Sequence, residues 1–200
     1  MTEIFQAEYN EIGKINVILD NMAEMICDRR NFSMCNYDEV IQSFRDNLSE
    51  NKTFYVKDDI KIAVLLSMSR VKNVDKAEDI RYFLYDDFKT YYKFVIINKA
   101  TPKAKNQILD FNNVEIVYTD EVTSSRKQNV FNPKYILLSP EEQEQVKTEY
   151  RIKRNSDLAK ILKDKPMARY YNLQLGEIIQ IDRSSEGSGI APFYRICSYN

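Results

Sequence analysis

Apolar residues recur at three- and four-residue spacing from Ile12 through Ile15, Ile18, Leu19, Met22, Met25 and Ile26, which predicts an amphipathic helix over 11–28 with that stripe buried. A second helix is expected after Asn36, a capping residue with Glu39 three positions on; Val40, Ile41, Phe44 and Leu48 form its inner face. Thr53–Val56 and Ile60–Leu66 are β-branched and apolar, and the polar Lys57–Asp59 between them reads as a turn. Asp75, with Glu78 at the third position, is expected to cap a helix reaching Phe88, with Ile80, Phe83, Leu84 and Phe88 inward. Phe94–Ile97 reads as a short buried strand. Thr101–Pro102 opens a helix to Leu109, with threonine as cap and proline at the first helical position. Val114–Tyr118 is the next strand. Strand, helix, strand, helix, strand in that order predicts an α/β layer domain.

The pattern changes at Glu121–Asn129, where eight of nine residues are polar and periodicity is lost. A boundary there divides the chain into domains at 1–125 and 126–200. Beyond it, Ser139–Pro140–Glu141–Glu142 is a helix start with cap, proline and capping-box glutamate. Asn155 or Ser156 is expected to open a short helix carrying Leu158, Ile161 and Leu162. Glu177–Arg183 alternates as a strand does, Ser184–Ala191 reads as a turn, and Phe193–Cys197 as the closing strand.

Charge sharpens this division. Residues 1–125 hold 16 Lys+Arg against 21 Asp+Glu, and residues 126–200 hold 13 against 9, within a net charge of −1. The halves are expected to meet different neighbours, and tight independent DNA binding by the whole chain is disfavoured. The chain has no histidine. That removes the usual neutral-pH general base and excludes Ser–His and Cys–His nucleophile pairs. Four glycines, with no GxGxxG or P-loop spacing, leave no cofactor-cradling loop, so no cofactor is expected. Cys27, Cys35 and Cys197 form no metal-binding pair, and their odd number fits a reducing compartment. No membrane span and no secretion signal in Met1–Glu11 are expected.

Three constellations could carry function. Phe88–Leu109 holds Lys89, Lys93, Lys99, Lys103 and Lys105 and no acid, and the last two flank a helix start where backbone N–H groups favour phosphate oxygens. Asp58–Asp59–Ile60–Lys61, with Asp46 upstream, has the residue types of a magnesium-dependent nuclease, or of a polar strand start. Lys163–Tyr171 and Arg183–Glu186 combine arginines and tyrosines in the proportion that protein interfaces favour.

Read in order, these segments resemble the fifth subunit of eukaryotic DNA-directed RNA polymerases, whose C-terminal half forms a small polymerase subunit by itself in archaea. The resemblance runs through Pro133–Lys134–Tyr135, the Ser139-led helix, Pro166–Met167–Ala168–Arg169–Tyr170, Gly176, Arg183–Ser184–Ser185–Glu186, Gly189 and Tyr194–Arg195. Before these, it runs through Asp28–Phe32, Tyr37–Glu39, Phe94–Ile97 and Thr101–Pro102–Lys103–Ala104–Lys105. Tyr135 stands where the family has histidine, Lys165 where it has aspartate, and Ser184 where it has proline.

The resemblance implies an α/β jaw domain with a nuclease-like mixed sheet, followed by a small α+β assembly domain. It implies a non-catalytic subunit of the multisubunit polymerase, held in a hetero-complex and not as a homo-oligomer. Pro133, Tyr135, Pro166, Ala168, Arg169, Tyr170, Gly176, Arg183, Ser185, Glu186, Tyr194 and Arg195 would form the surface for the largest subunit and its neighbours. Lys99 and Thr101, Pro102, Lys103, Ala104 and Lys105 would lie near downstream double-stranded DNA. A cellular version would be nuclear. A version from a large DNA virus, consistent with the richness in Lys, Ile, Asn and Tyr, would be found in the virion or the infected-cell cytoplasm. A metal-dependent nuclease and a free-standing DNA-binding protein are the alternatives.

Overall fold

The computed structural model describes residues 11–85, 88–123, 133–185 and 189–199. The chain forms two compact units: Met1–Cys27 with Met34–Ser124, and Asp28–Ser33 with Ser125–Asn200.

The first unit is built on a mixed four-stranded sheet. Helices α1 (Glu11–Cys27) and α2 (Tyr37–Asp46) precede β1 (Lys52–Lys57) and β2 (Ile60–Leu66), an antiparallel hairpin whose turn holds Asp58 at φ +50°. β3 (Arg70–Val71) and α3 (Glu78–Tyr85) lead to β4 (Tyr92–Ile97), and β5 (Lys99–Ala100) and α4 (Pro102–Leu109) lead to β6 (Val114–Tyr118). The four-residue α5 (Thr119–Val122) follows. The order is β1-β2-β4-β6, with β2, β4 and β6 mutually parallel. Ile62–Leu66 and Lys93–Ile97 are buried without a break, as parallel strands covered on both faces must be. Ala63, Leu65, Val95, Ile97 and Ile116 pack against Ile80, Phe83 and Leu84 of α3 and Ala104 and Ile108 of α4. α2 is tied to the hairpin where Thr53 Oγ1 donates to the Phe44 carbonyl (2.6 Å) and Ser43 Oγ to that of Phe54 (3.0 Å).

The second unit has a four-stranded sheet ordered β7 (Lys134–Leu137), β9 (Ile178–Ser185), β10 (Gly189–Ser198), β8 (Ala159–Leu162). Only the β10–β8 pair is parallel. α6 (Pro140–Glu149) covers one face, where Val146 meets Leu138, Ile178 and Ile196. Strand alternation turns Ile179, Ile181 and Cys197 to the other face. α7 (Pro166–Tyr170) precedes Leu173, whose carbonyl faces the Cys197 thiol at 3.8 Å. Gln143 is buried in α6: its Nε2 donates to the Leu138 carbonyl (3.1 Å) and its Oε1 accepts from the Ile178 amide (3.0 Å). Gln143→Leu leaves the Ile178 amide unsatisfied, while Arg30 still donates to the Leu138 carbonyl, and a loss of about 1–3 kcal/mol is expected in the urea dependence of amide exchange along β9.

Several elements depart from the sequence reading. Asp75 is not a helix cap. The Asn73 side chain accepts from the Asp75 amide (3.1 Å) and starts a single 3-10 turn, Val74–Lys76. Ala77, at φ −106° and ψ 84°, breaks the chain direction, so α3 begins at Glu78 and ends at Tyr85. Residues 155–162 are not a helix but a 3-10 turn, Asn155–Asp157, and the strand β8. Leu158, Ile161 and Leu162 fit a helical spacing, but a run this short has no helical stability of its own, and pairing with β10 satisfies its backbone. Leu48 lies past the end of α2 and is 36% exposed. Glu121 belongs to α5, its carboxylate accepting from the Tyr118 amide, and the remainder of the expected linker, 124–129, lies outside the described residues.

Candidate functional site

In the first unit, a basic cluster forms where β3 and β5 pair in parallel. The register sets Arg70 beside Lys99 and Val71 beside Ala100. Thr101 follows directly. Its amide donates to the Val71 carbonyl (3.0 Å), and its hydroxyl donates to the Lys72 carbonyl (2.7 Å) while accepting from the Ala104 amide (3.3 Å). The threonine therefore caps α4 and ties that cap to residues 71–72. Pro102 occupies the first helical position and is exposed, as are Lys99, Lys103 and Lys105; Ala104 is fully buried and anchors the helix. Arg70 and Lys72 are exposed as well. Among the described residues, no ion pair engages Arg70, Lys72, Lys99, Lys103 or Lys105. Arg70 and Lys72 were not foreseen from sequence, because only the ladder between two two-residue strands brings them beside residues 99–105.

Lys93 does not belong to this surface. It is 4% exposed, and its Nζ donates to the Phe83 and Leu84 carbonyls (2.8 and 2.9 Å) at the end of α3. The expected basic strip is thus interrupted. The acidic triplet does not form a site either. Asp58, Asp59 and Lys61 are exposed around the hairpin turn, and Asp46 accepts from Gln42 (2.8 Å). No three His, Cys, Asp or Glu residues converge on a common metal position among the described residues. Nearby, Glu39 pairs with Lys57 (2.7 Å), which holds the carboxyl below its ordinary range.

In the second unit, the segment Asp28–Arg29–Arg30 organises the proline-led helix. Arg29 is 1% exposed; its Nε donates to the Tyr170 carbonyl (2.7 Å) and its Nη2 to the Arg169 carbonyl (2.8 Å). Asp28 accepts from the Tyr170 hydroxyl (2.8 Å). Arg30 pairs with Glu177 and donates to the Leu138 carbonyl (2.6 Å). Helix ends leave carbonyls without partners, and here a buried guanidinium supplies two.

This geometry sorts the sequence-derived interface residues. Ala168 and Tyr170 are buried, so they position α7 instead of presenting themselves. Pro166 is exposed at the start of α7, Arg169 is half-buried, and Gly176 sits at φ +85°, which favours glycine. Pro133 and Tyr135 are half-buried, the Tyr135 ring 6.3 Å from that of Tyr171. Arg183 is exposed with its guanidinium 4.4 Å from the Phe193 ring centre, and Ser185 closes β9 opposite Gly189. Glu186 lies outside the described residues. Tyr194 and Arg195 are adjacent in β10 and therefore face opposite ways. Tyr194 stacks near Tyr150 (5.2 Å), and burial beside that ring pushes its phenol up. Arg195 faces a cleft with Tyr135 and Lys165.

Comparison with known proteins adds to this geometry. Residues 126–197 match the family model described as RNA polymerase Rpb5, C-terminal domain. Over 201 residues, 96% of each chain, the sequence is 31% identical to the "DNA-directed RNA polymerase subunit 5" of Acanthamoeba polyphaga mimivirus. It is 25% identical to the "DNA-directed RNA polymerases I, II, and III subunit rpabc1" of Dictyostelium discoideum, over 94% of this chain and 98% of that protein. A Caenorhabditis briggsae protein of the same description is 26% identical over 78% of this chain.

Proposed function

The chain belongs to the family of the fifth subunit of DNA-directed RNA polymerases, and from that premise we propose that it works as a non-catalytic subunit of such a polymerase, docking through its second unit and touching downstream duplex DNA through its first. The observation that carries the reading is alignment along nearly the whole length of a polymerase subunit, with residues 126–197 matching the family's C-terminal domain. The absence of histidine fits a part that positions partners and leaves chemistry to them. The first unit would serve as the jaw and the second as the assembly domain on the largest subunit. Relatives occur in a large DNA virus and in cellular eukaryotes, so the chain would be found in the virion and infected cell, or in the nucleus, according to the polymerase that holds it.

Tagged chain recovered from its source should bring down the largest polymerase subunit. Recovery alone, without polymerase subunits, would sink the assignment. DNA contact is supported by the exposed group Arg70, Lys72, Lys99, Lys103 and Lys105 around the α4 cap. Every phosphate that a cation neutralises steepens the salt dependence of duplex binding by about 0.9 in the log–log slope. Replacing Lys103 and Lys105 by Ala in the assembled polymerase should therefore reduce the slope for downstream duplex by about 2, read from filter binding at graded salt. An unchanged slope would remove α4 from the DNA path.

A further inference from the structure

The second unit carries a cleft of about 500 Å³ along the edge strand β8 and the start of α7. Its polar wall is cationic: Lys160, Lys165 and Arg195, joined by the Tyr135 ring and with no carboxylate among the described lining residues. Its remaining surface is apolar, from Ile161, Pro166 and Met167 among others. Arg195 is held in place there, Nη1 donating to the Lys160 carbonyl (3.3 Å), while its Nε is shielded from solvent and has no hydrogen-bond partner. Among anions, a carboxylate suits a guanidinium best, because its two oxygens match the paired N–H groups.

We propose that this cleft receives an acidic peptide segment of a partner polymerase subunit, one carboxylate meeting Arg195 and Lys165 and a neighbouring apolar side chain resting on Ile161 and Met167. The inference rests on the assignment of the chain as a polymerase subunit and names the chemistry of one contact. A phosphate backbone fits less well, since a nucleic acid gains nothing from the apolar floor, whereas an acidic–apolar peptide uses both halves of the cleft. The position of Lys165 also sets partner choice: a carboxylate at that position would repel the same segment.

The test uses the full chain, ¹⁵N-labelled, titrated with acetylated Glu-Leu-Glu-Leu amide, its Gln-Leu-Gln-Leu counterpart and single-stranded dT8. The acidic peptide should shift Lys160–Met167 and Arg195 amides, with at least tenfold weaker binding of the glutamine peptide. Lys165→Glu, at an exposed position, should cost another tenfold or more while leaving the thermal midpoint unchanged; Lys160→Glu serves as a second variant. Equal shifts from both peptides, or stronger shifts from dT8, overturn the proposal. The polymerase assignment is read separately, by recovery of tagged wild type and Lys165→Glu with the largest subunit. Failure of both fails the assignment, and equal retention of both refutes the cleft alone.

Discussion

Arg29→Met lowers the stability of the second unit by about 3–5 kcal/mol. Methionine keeps most of the side-chain volume but strips the Arg169 and Tyr170 carbonyls of their charged donors. Hydrogen bonds to a charged group are each worth about 1.5–3 kcal/mol, and the substitution removes two of them. Two units need not unfold together, so a single transition is not the right readout. Hydrogen exchange resolved to the peptide covering 166–173 should show protection lost there while β2 and β4 remain protected. Arg30→Met is the control: its ion pair with Glu177 is half-exposed, and about 1 kcal/mol is expected. If the Arg29 variant exchanges like wild type at 166–173, the guanidinium does not hold α7.

Lys93→Met should destabilise the first unit by about 2–4 kcal/mol. The Lys93 ammonium does for α3 what Arg29 does for α7: it meets the last carbonyls of a helix with a buried cation, where the helix dipole also favours positive charge. Its nitrogen lies 5.6 Å from the Phe83 ring centre, which adds a modest cation–π attraction. Removing a buried charge recovers some desolvation energy, which keeps the expected loss below that of a fully uncompensated deletion. The guanidinium dependence of amide exchange in β2 and β4 measures it. The same variant should leave the salt slope of DNA binding unchanged, in contrast to Lys103 and Lys105. A variant as stable as wild type would show that the α3 carbonyls find water instead.

Both buried cations show what a linear reading misses. Along the chain, Lys93 is one lysine in an acid-free stretch, and Arg29 is one of two arginines after a helix. Neither spacing nor composition marks them as buried, because the acceptors that make burial tolerable are backbone carbonyls of other elements, nine or more residues away for Lys93 and about 140 for Arg29. The α4 cap is the opposite case. Thr101, Pro102 and the orphan amides of one helical turn lie within four residues, so local chemistry alone specifies them. The same holds for Asn36 before α2 and the Ser139 capping box before α6.

What the sequence by itself determined is therefore local: the starts of α2, α4 and α6 with their caps, the uninterrupted apolar strands of the first sheet, the lack of histidine chemistry, and the ordered motifs that point to a polymerase subunit. Tertiary structure decided the rest. It made residues 159–162 an edge strand, because a parallel partner in β10 outweighs a weak helical spacing. It placed Asp28–Ser33 with the second unit, since the hydrogen bonds of Arg29 and Arg30 end on residues 138–177. It also separated Tyr194 from Arg195 across the β10 strand, giving one to the packing under α6 and the other to the cationic cleft. The physical reason is common to all three: each depends on a donor meeting an acceptor, or a strand meeting its neighbour, across a sequence distance over which local spacing carries no information.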